Sequence, residues 1–330
     1  MNAQLDSALV WFRRDLRHTD HAALYYALKQ ARRVWCVFVF DTDILDALPR
    51  VDRRVVFIRD SLIELDNALR ALAHDRRVPE APHCGLIVLH GSAIQEIPHL
   101  AKQLGVQAVF ANHDDEPASL ARDAQVRGHL SQLGAALFTS KDHVVFERNE
   151  VLTGNDTPYG VFTPYKNAWL KKIEPFYVKA YPVAAYAQRL APIPTGVGME
   201  QGAPDQRIPS LGALGFEATS PAKVPAGMSG GLTLLDDFLG RIDQYDATRD
   251  FPSVKGPSYL STHLRFGTVS IRHLASLALE RSKAGSLGAQ TWLSELIWRD
   301  FYTRFCTTIP TWSGTATNAA MTASNGGMAS

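Results

Sequence analysis

The chain has 330 residues, enough for two domains, and its 46% hydrophobic and 20% charged content is ordinary for a globular protein that buries a core. A formal net charge of +1 excludes a globally basic nucleic-acid binder, so any surface that meets an anion must be local. Cys36, Cys84 and Cys306 are odd in number and far apart without a C-x-x-C pair, which argues against zinc or a redox couple and predicts reduced thiols in a cytoplasmic protein. MNAQLDSALV lacks the basic and apolar regions of a signal peptide, and the strongest apolar run, VWCVFVF, is too short to span a bilayer.

Five short β-rich apolar runs come first: SALVWF from Ser7, VWCVFVF from Val34, CGLIVLH from Cys84, VQAVFA from Val106 and AALFTS from Ala135. Segments of helical period lie between them at about 20–32, 52–73, 92–104 and 116–132. This alternation predicts a doubly wound parallel five-stranded sheet with helices on both faces over residues 1–140. Residues 191–231 are dense in Pro and Gly with no sustained apolar period, so 141–231 reads as a connection ending in a linker. Helical patterns return in LTLLDDFLGRIDQY, SYLSTHLRFG, SIRHLASLALERS and LGAQTWLSELIWRDFYTRF, and predict an all-α part over 232–305. From Cys306 to Ser330 the run of small polar residues is expected to be a disordered tail.

WFRRDLRHTD follows the first strand, at the carboxyl end of a parallel sheet where ligands bind. Arg13, Arg14, Asp15 and Arg17 could hold a phosphate or carboxylate, or could form a salt-bridge cluster that fixes the loop; Thr19 or Asp20 is the expected cap of the next helix. Asn112, Asp114 and Glu116, after the fourth strand, are candidates to cap the helix that follows. On the last helix Leu293, Leu296, Ile297, Phe301 and Phe305 make one apolar face, and Trp292, Glu295, Trp298, Arg299 and Tyr302 make a neighbouring stripe. By itself that stripe reads as an interface or core edge with a Glu295–Arg299 pair at i, i+4.

Taken in order, WFRRDLR, TPYGVFTPYKNAW (Thr157 to Trp169), KGPSYLSTHLRFGTVSIRHL (Lys255 to Leu274) and TWLSELIWRDFY (Thr291 to Tyr302) closely resemble the DNA photolyase and cryptochrome family, most like its bacterial deoxyribodipyrimidine photo-lyases. The resemblance runs from about Ala8 to Phe305. It implies an α/β antenna domain followed by an all-α FAD-binding domain, here incomplete. It also implies light-driven electron transfer from reduced flavin that splits cyclobutane pyrimidine dimers in DNA, with no metal.

Carried over by position, Tyr245, Ser258, Tyr259, Leu260, Ser261 and Trp292 are the implied flavin-binding residues. Arg249, Arg299 and Tyr302 are implied contacts to damaged DNA. Glu295, hydrogen-bonding the dimer, and Trp298, its stacking surface, are implied both as DNA contacts and as catalytic groups. Pro257 stands where the family often has Thr, which removes a hydroxyl and an N–H beside the flavin phosphates. Ala118 and Ser119 stand at the Asn-Glu pair through which some members bind a folate, so the antenna chromophore is unassigned. Because the family pattern stops at Phe305, the chain is expected to be a shortened, weakly active or inactive form, with its last apolar face short of packing partners. The alternatives are a cryptochrome-like blue-light sensor and a non-catalytic remnant in which only the α/β part folds. A monomer is expected.

Overall fold

A computed structural model describes residues 4–198, 207–217 and 224–308, with side chains through Arg304. All five expected strands form: β1 (Leu5–Phe12), β2 (Ala31–Asp41), β3 (Leu86–Gly91), β4 (Ala108–Asn112) and β5 (Ala136–Ser140). They make one parallel sheet in the order β3-β2-β1-β4-β5. Between them run α1 (Ala22–Gln30), the short α2 (Thr42–Leu45), α3 (Arg53–Asp75), α4 (Ala93–Leu104) and α5 (Pro117–Gln132). Both faces of a doubly wound sheet are covered, which is why the strands read as nearly unbroken apolar runs. Strand alternation still divides β1: Val10 and Phe12 join the core shared with α1 and α3, while Leu9 and Trp11 join the one shared with α4 and α5.

A third core is helical. It is built from α6 (Phe162–Lys172), α7 (Gly227–Leu239), α8 (Tyr245–Thr248), α9 (Ser261–Phe266), α10 (Ile271–Lys283) and α11 (Leu287–Thr308). Leu293, Leu296, Ile297 and Phe301 are buried in it, so the expected apolar face of α11 is real. Its partners are present, contrary to expectation: α11 packs on α6, α8 and α10. The helix also runs to Thr308, past the point where the family pattern stops. The tail assigned to 306–330 lies outside the described residues from 309 on.

The region expected to be a connection is instead divided between the cores. Val145, Phe146, Val151, Tyr165 and Trp169 belong to the helical core, and Val183, Ala187 and Leu190 to the sheet. Ala191 N–H donates to Val34 O at 2.9 Å, so the chain returns alongside β2. Even the Pro/Gly-rich stretch is anchored, with Ile208, Leu214 and Phe216 buried against the sheet. Single apolar residues spaced among glycines show no period, but each still gains from leaving water.

The helices are fastened to the sheet by a buried ionic cluster. Asp142, just after β5, accepts from Arg17 at 2.6 Å and from Arg272 on α10 at 2.8 Å, and Arg272 Nε also donates to Asp20 at 2.9 Å. Asp20 takes the left-handed conformation, φ 46°, and its carboxylate also accepts from Ser270 Oγ and from Tyr181 N–H. It therefore does not cap α1. His21 does, its Nδ1 accepting from Leu24 N–H at 3.0 Å. At the same seam Gly267, φ 62°, passes so close to the β1 loop that a Cβ would lie 2.3 Å from Arg14 O, and only glycine fits.

Candidate functional site

The cationic loop after β1 is a salt-bridge cluster and not an open anion site. Arg13 pairs with Asp123 at 2.6 Å, Arg14 with Asp114 and with Glu116, and Arg17 with Asp142. Asp15 is fully buried beside His21 at 3.0 Å; burial would raise its carboxyl, but the histidine outweighs that and holds it at about 2. Trp11 fills the crevice between the guanidinium groups of Arg13 and Arg122, 4.7 and 5.1 Å from its ring centroid. Neither Asn112 nor Asp114 caps α5 in the expected way. Asn112 instead ties strands to α1, donating to Asp15 at 2.7 Å and accepting from Ala23 N–H at 2.9 Å. Asp114 accepts from Ser119 Oγ at 2.9 Å, and Glu116 holds the cap position without a side-chain cap bond.

The stripe on α11 separates into four environments. Trp292 is only 3% exposed and packs on Phe238 at 4.8 Å between ring centroids, so it is a core residue with no open face. Glu295 does not pair with Arg299. Its Oε1 accepts from Arg249 Nη1 at 2.5 Å, and both side chains are about one-third exposed, 39% and 32%. The Arg249 guanidinium also lies 5.9 Å from the Tyr245 ring centroid, which joins Tyr245, Arg249 and Glu295 into one cluster. Its electrostatics are consistent: the hydrogen bond that Arg249 donates to Glu295 raises the Arg249 pKa, and burial, then Glu295, raises that of Tyr245. The dimer-facing role implied for Glu295 requires a donor, yet here the carboxylate accepts and the donor hydrogens belong to Arg249.

Arg299 is the second correction. Its guanidinium donates to His143 O and, at 3.2 Å, to Leu264 O, so it ties the β5 loop to α9 beneath the surface. Burial lowers its pKa to about 10. Two backbone carbonyls thus take the guanidinium that periodicity had offered to Glu295. Trp298 is the fourth environment, half-buried in a stack: Phe162 lies flat against it at 3.6 Å and 8°, and Tyr302 at 5.2 Å and 19°. Tyr302 is the outward member, 54% exposed.

Ser258 and Ser261 lie on the turn into α9. Leu260, not a serine, occupies the cap position, and Ser258 Oγ accepts from Leu260 N–H at 3.4 Å. Tyr259 between them is left-handed, φ 58°, and exposed. A cavity of about 420 Å³ opens between this turn, α11 and the β4 loop, with walls that include Arg14, His143, Ser261, Arg265, Arg299 and Tyr302. Of the implied flavin set it gathers Ser261; Tyr245, Ser258 and Trp292 are not among its walls. The Ser258 and Ser261 hydroxyls on this turn suit the phosphate end of a flavin dinucleotide, but the cavity itself does not add free cations, because Asp114, Asp115 and Glu116 also line it and Arg14 and Arg265 are paired with Glu116. The ring end is not matched, because Trp292 is sealed under Phe238.

Asp300 escaped notice in the sequence. It is 1% exposed and accepts from Phe146 N–H and Trp169 Nε1, both at 3.0 Å, and burial raises its carboxyl to about 6. A carboxylate between Arg299 and Phe301, in an aromatic-rich stretch of a helix, was the available signal. Phe162, in the quoted VFTPY, carried no signal of its own.

A family model described as DNA photolyase matches residues 8–185. This chain belongs to the DNA photolyase family. Over 310 residues it is 32% identical to a deoxyribodipyrimidine photo-lyase of Salmonella typhimurium, an alignment covering 92% of this chain and 61% of that one. The fold is similar to a bacterial class III photolyase from Agrobacterium tumefaciens (TM-score 0.73, 23% identity, 94% of this chain and 61% of that one). It is also similar to an archaeal photolyase from Sulfolobus tokodaii whose structure contains two FAD molecules (TM-score 0.61, 25% identity, 92% and 60%). The chain spans about three fifths of the length of the curated deoxyribodipyrimidine photo-lyases it matches. Among the described residues no helix is long and apolar enough to cross a membrane.

Proposed function

We propose that this chain acts on DNA containing pyrimidine dimers, as a flavin-dependent photo-lyase, through the α11 face that carries Glu295, Trp298 and Tyr302 together with Arg249 from the end of α8. One observation carries the reading: the one-third-exposed Arg249–Glu295 pair lies one helical turn from the Trp298–Tyr302 stack, so hydrogen-bond donors adjoin a flat aromatic surface. A dimer is poorly stacked in its duplex and costs little to extrude, and an aromatic shelf typically contributes about 1–3 kcal/mol per base. Arg249 offers N–H groups to the lesion and the backbone phosphates, while Glu295 aims the guanidinium. Ser258 and Ser261 hold the phosphates of FAD. When bound, the reduced flavin supplies the light-driven electron that opens the cyclobutane ring.

The test is to add reduced FAD to the purified chain and follow dimers in a short oligonucleotide under blue light and in the dark. Light-dependent loss of dimers supports repair. Bound flavin without that loss favours the light-sensing alternative, and no bound flavin favours the non-catalytic one.

A further inference from the structure

Trp298 cannot receive a base on either face as it stands. Phe162 lies parallel to it at van der Waals distance, 3.6 Å and 8°, and Tyr302 covers the other side. The two covers differ in their freedom to leave. Tyr302 sits one turn along the same helix, α11, and turns with it. Phe162 is the first residue of α6, whose cap, Val161, makes no side-chain cap bond and is 64% exposed. The seven residues from Gly154 to Val161 other than Tyr159 are exposed and end on Phe162.

We propose that Phe162 is a positioning residue that stands in for a base: it occupies the Trp298 face while DNA is absent and swings away with the start of α6 when an extruded pyrimidine takes its place. The inference rests on the reading of Trp298 as a lesion-facing surface. An edge-on contact or a buried alkyl chain would pack a core equally well; a ring held parallel in full overlap reproduces the geometry of base stacking. Keeping the indole covered also spares the free protein an open aromatic patch. Lys166, one turn further along α6, holds its ammonium 5.9 Å from the Phe162 ring centroid. Departure of the ring frees that cation for a backbone phosphate. Discrimination follows, because an undamaged base must pay to leave its stack and then also displace the ring, whereas a dimer meets the second barrier alone.

The experiment compares wild type, Phe162→Ala, Phe162→Leu and Trp298→Ala as full chains, binding labelled oligonucleotides with and without one cyclobutane thymine dimer. Removing the competing ring in Phe162→Ala is expected to tighten binding to the damaged strand by about three- to tenfold. Phe162→Leu, which keeps apolar packing but not a flat ring, should tighten it less, and it stands alone as the test if the alanine variant does not fold. A merely structural residue would weaken binding when truncated. Acrylamide quenching of Trp298, read as the difference from Trp298→Phe, should rise in Phe162→Ala. If Trp298→Ala weakens damaged-strand binding while a folded Phe162 variant leaves it unchanged or weaker, the stand-in role is wrong and the lesion-facing reading survives. If Trp298→Ala has no effect, the lesion-facing reading itself fails.

Discussion

Two ionic clusters on this molecule are built to opposite specifications. Around Asp142 the Arg17, Arg272 and Asp20 side chains are at most 9% exposed, and every carboxylate has a named donor. Around Glu295 the Arg249 guanidinium, one-third open to water, pairs with Glu295 and, at 3.5 Å, with the exposed Asp250. The sealed cluster joins elements distant in sequence and is a fastening, costly to break because a lone charge would be left without solvent. The open pair does little for the fold, since water already competes for it, and so it is free to exchange partners with a ligand. Burial thus separates the arginines that hold the molecule from the one proposed to meet DNA, a distinction that charge counts alone hide.

The comparison can be broken most forcefully at Asp142. Asp142→Asn should lose about 3–5 kcal/mol in urea denaturation, and a loss below 1 kcal/mol would put the sealed cluster in the same class as a surface pair. Burial alone would raise this carboxyl, but Arg17 and Arg272 outweigh it and hold it far below the ordinary range. A depressed pKa gives stability that is present above the ordinary aspartate value and lost as pH falls below it. Wild type should therefore lose stability relative to the variant only under strongly acid conditions.

Next in size is the open site. Trp298→Ala should weaken binding to dimer-containing DNA by about 1–3 kcal/mol in a fluorescence-anisotropy titration, with a smaller change for undamaged DNA. Equal weakening would remove the distinction between a recognition face and a generic surface. Asp300 sharpens the contrast from the buried side, because it has N–H donors but no close guanidinium among its hydrogen bonds. Its pKa is raised to about 6, so the folded state takes up a proton before the unfolded chain does. That contribution is present in full below pH 3.8 and lost as pH rises through 6. Between pH 7.5 and 5, wild type should gain roughly 1–2 kcal/mol relative to Asp300→Asn in parallel denaturation curves. The smallest effect belongs to Glu295→Gln, which should change stability by less than about 1 kcal/mol while lowering affinity for damaged DNA.

Much of the fold was legible because it is written in local period. Apolar runs at strand length with helical segments between them announced all five strands and their covering helices. Spacings of three and four likewise announced the buried face of α11. What stayed hidden are choices between equally near partners. Glu295 had Arg299 one turn away, and it instead took Arg249, 46 residues back, because two carbonyls from the β5 loop and α9 already held Arg299. Asp20 looked like a cap and became an inter-element acceptor, leaving His21 to cap α1. The anchoring of Ile208, Leu214 and Phe216 had no period to betray it. Of the site, residue types and their helix could be read, but the ring covering Trp298 comes from a segment 136 residues away in sequence (298 − 162).

The Asp142 fastening also sets an order in time. Arg17 is already made when Asp142 leaves the ribosome, but Arg272 follows 130 residues later, and the Ser270–Asp20 and Arg17–Gly267 bonds close spans of 250. At about 5–20 residues per second, Asp142 waits roughly 7–26 seconds with one guanidinium where it will finally have two. The nascent sheet must therefore tolerate an unfinished charge at its edge throughout that interval, and docking of the helices is the step that retires it.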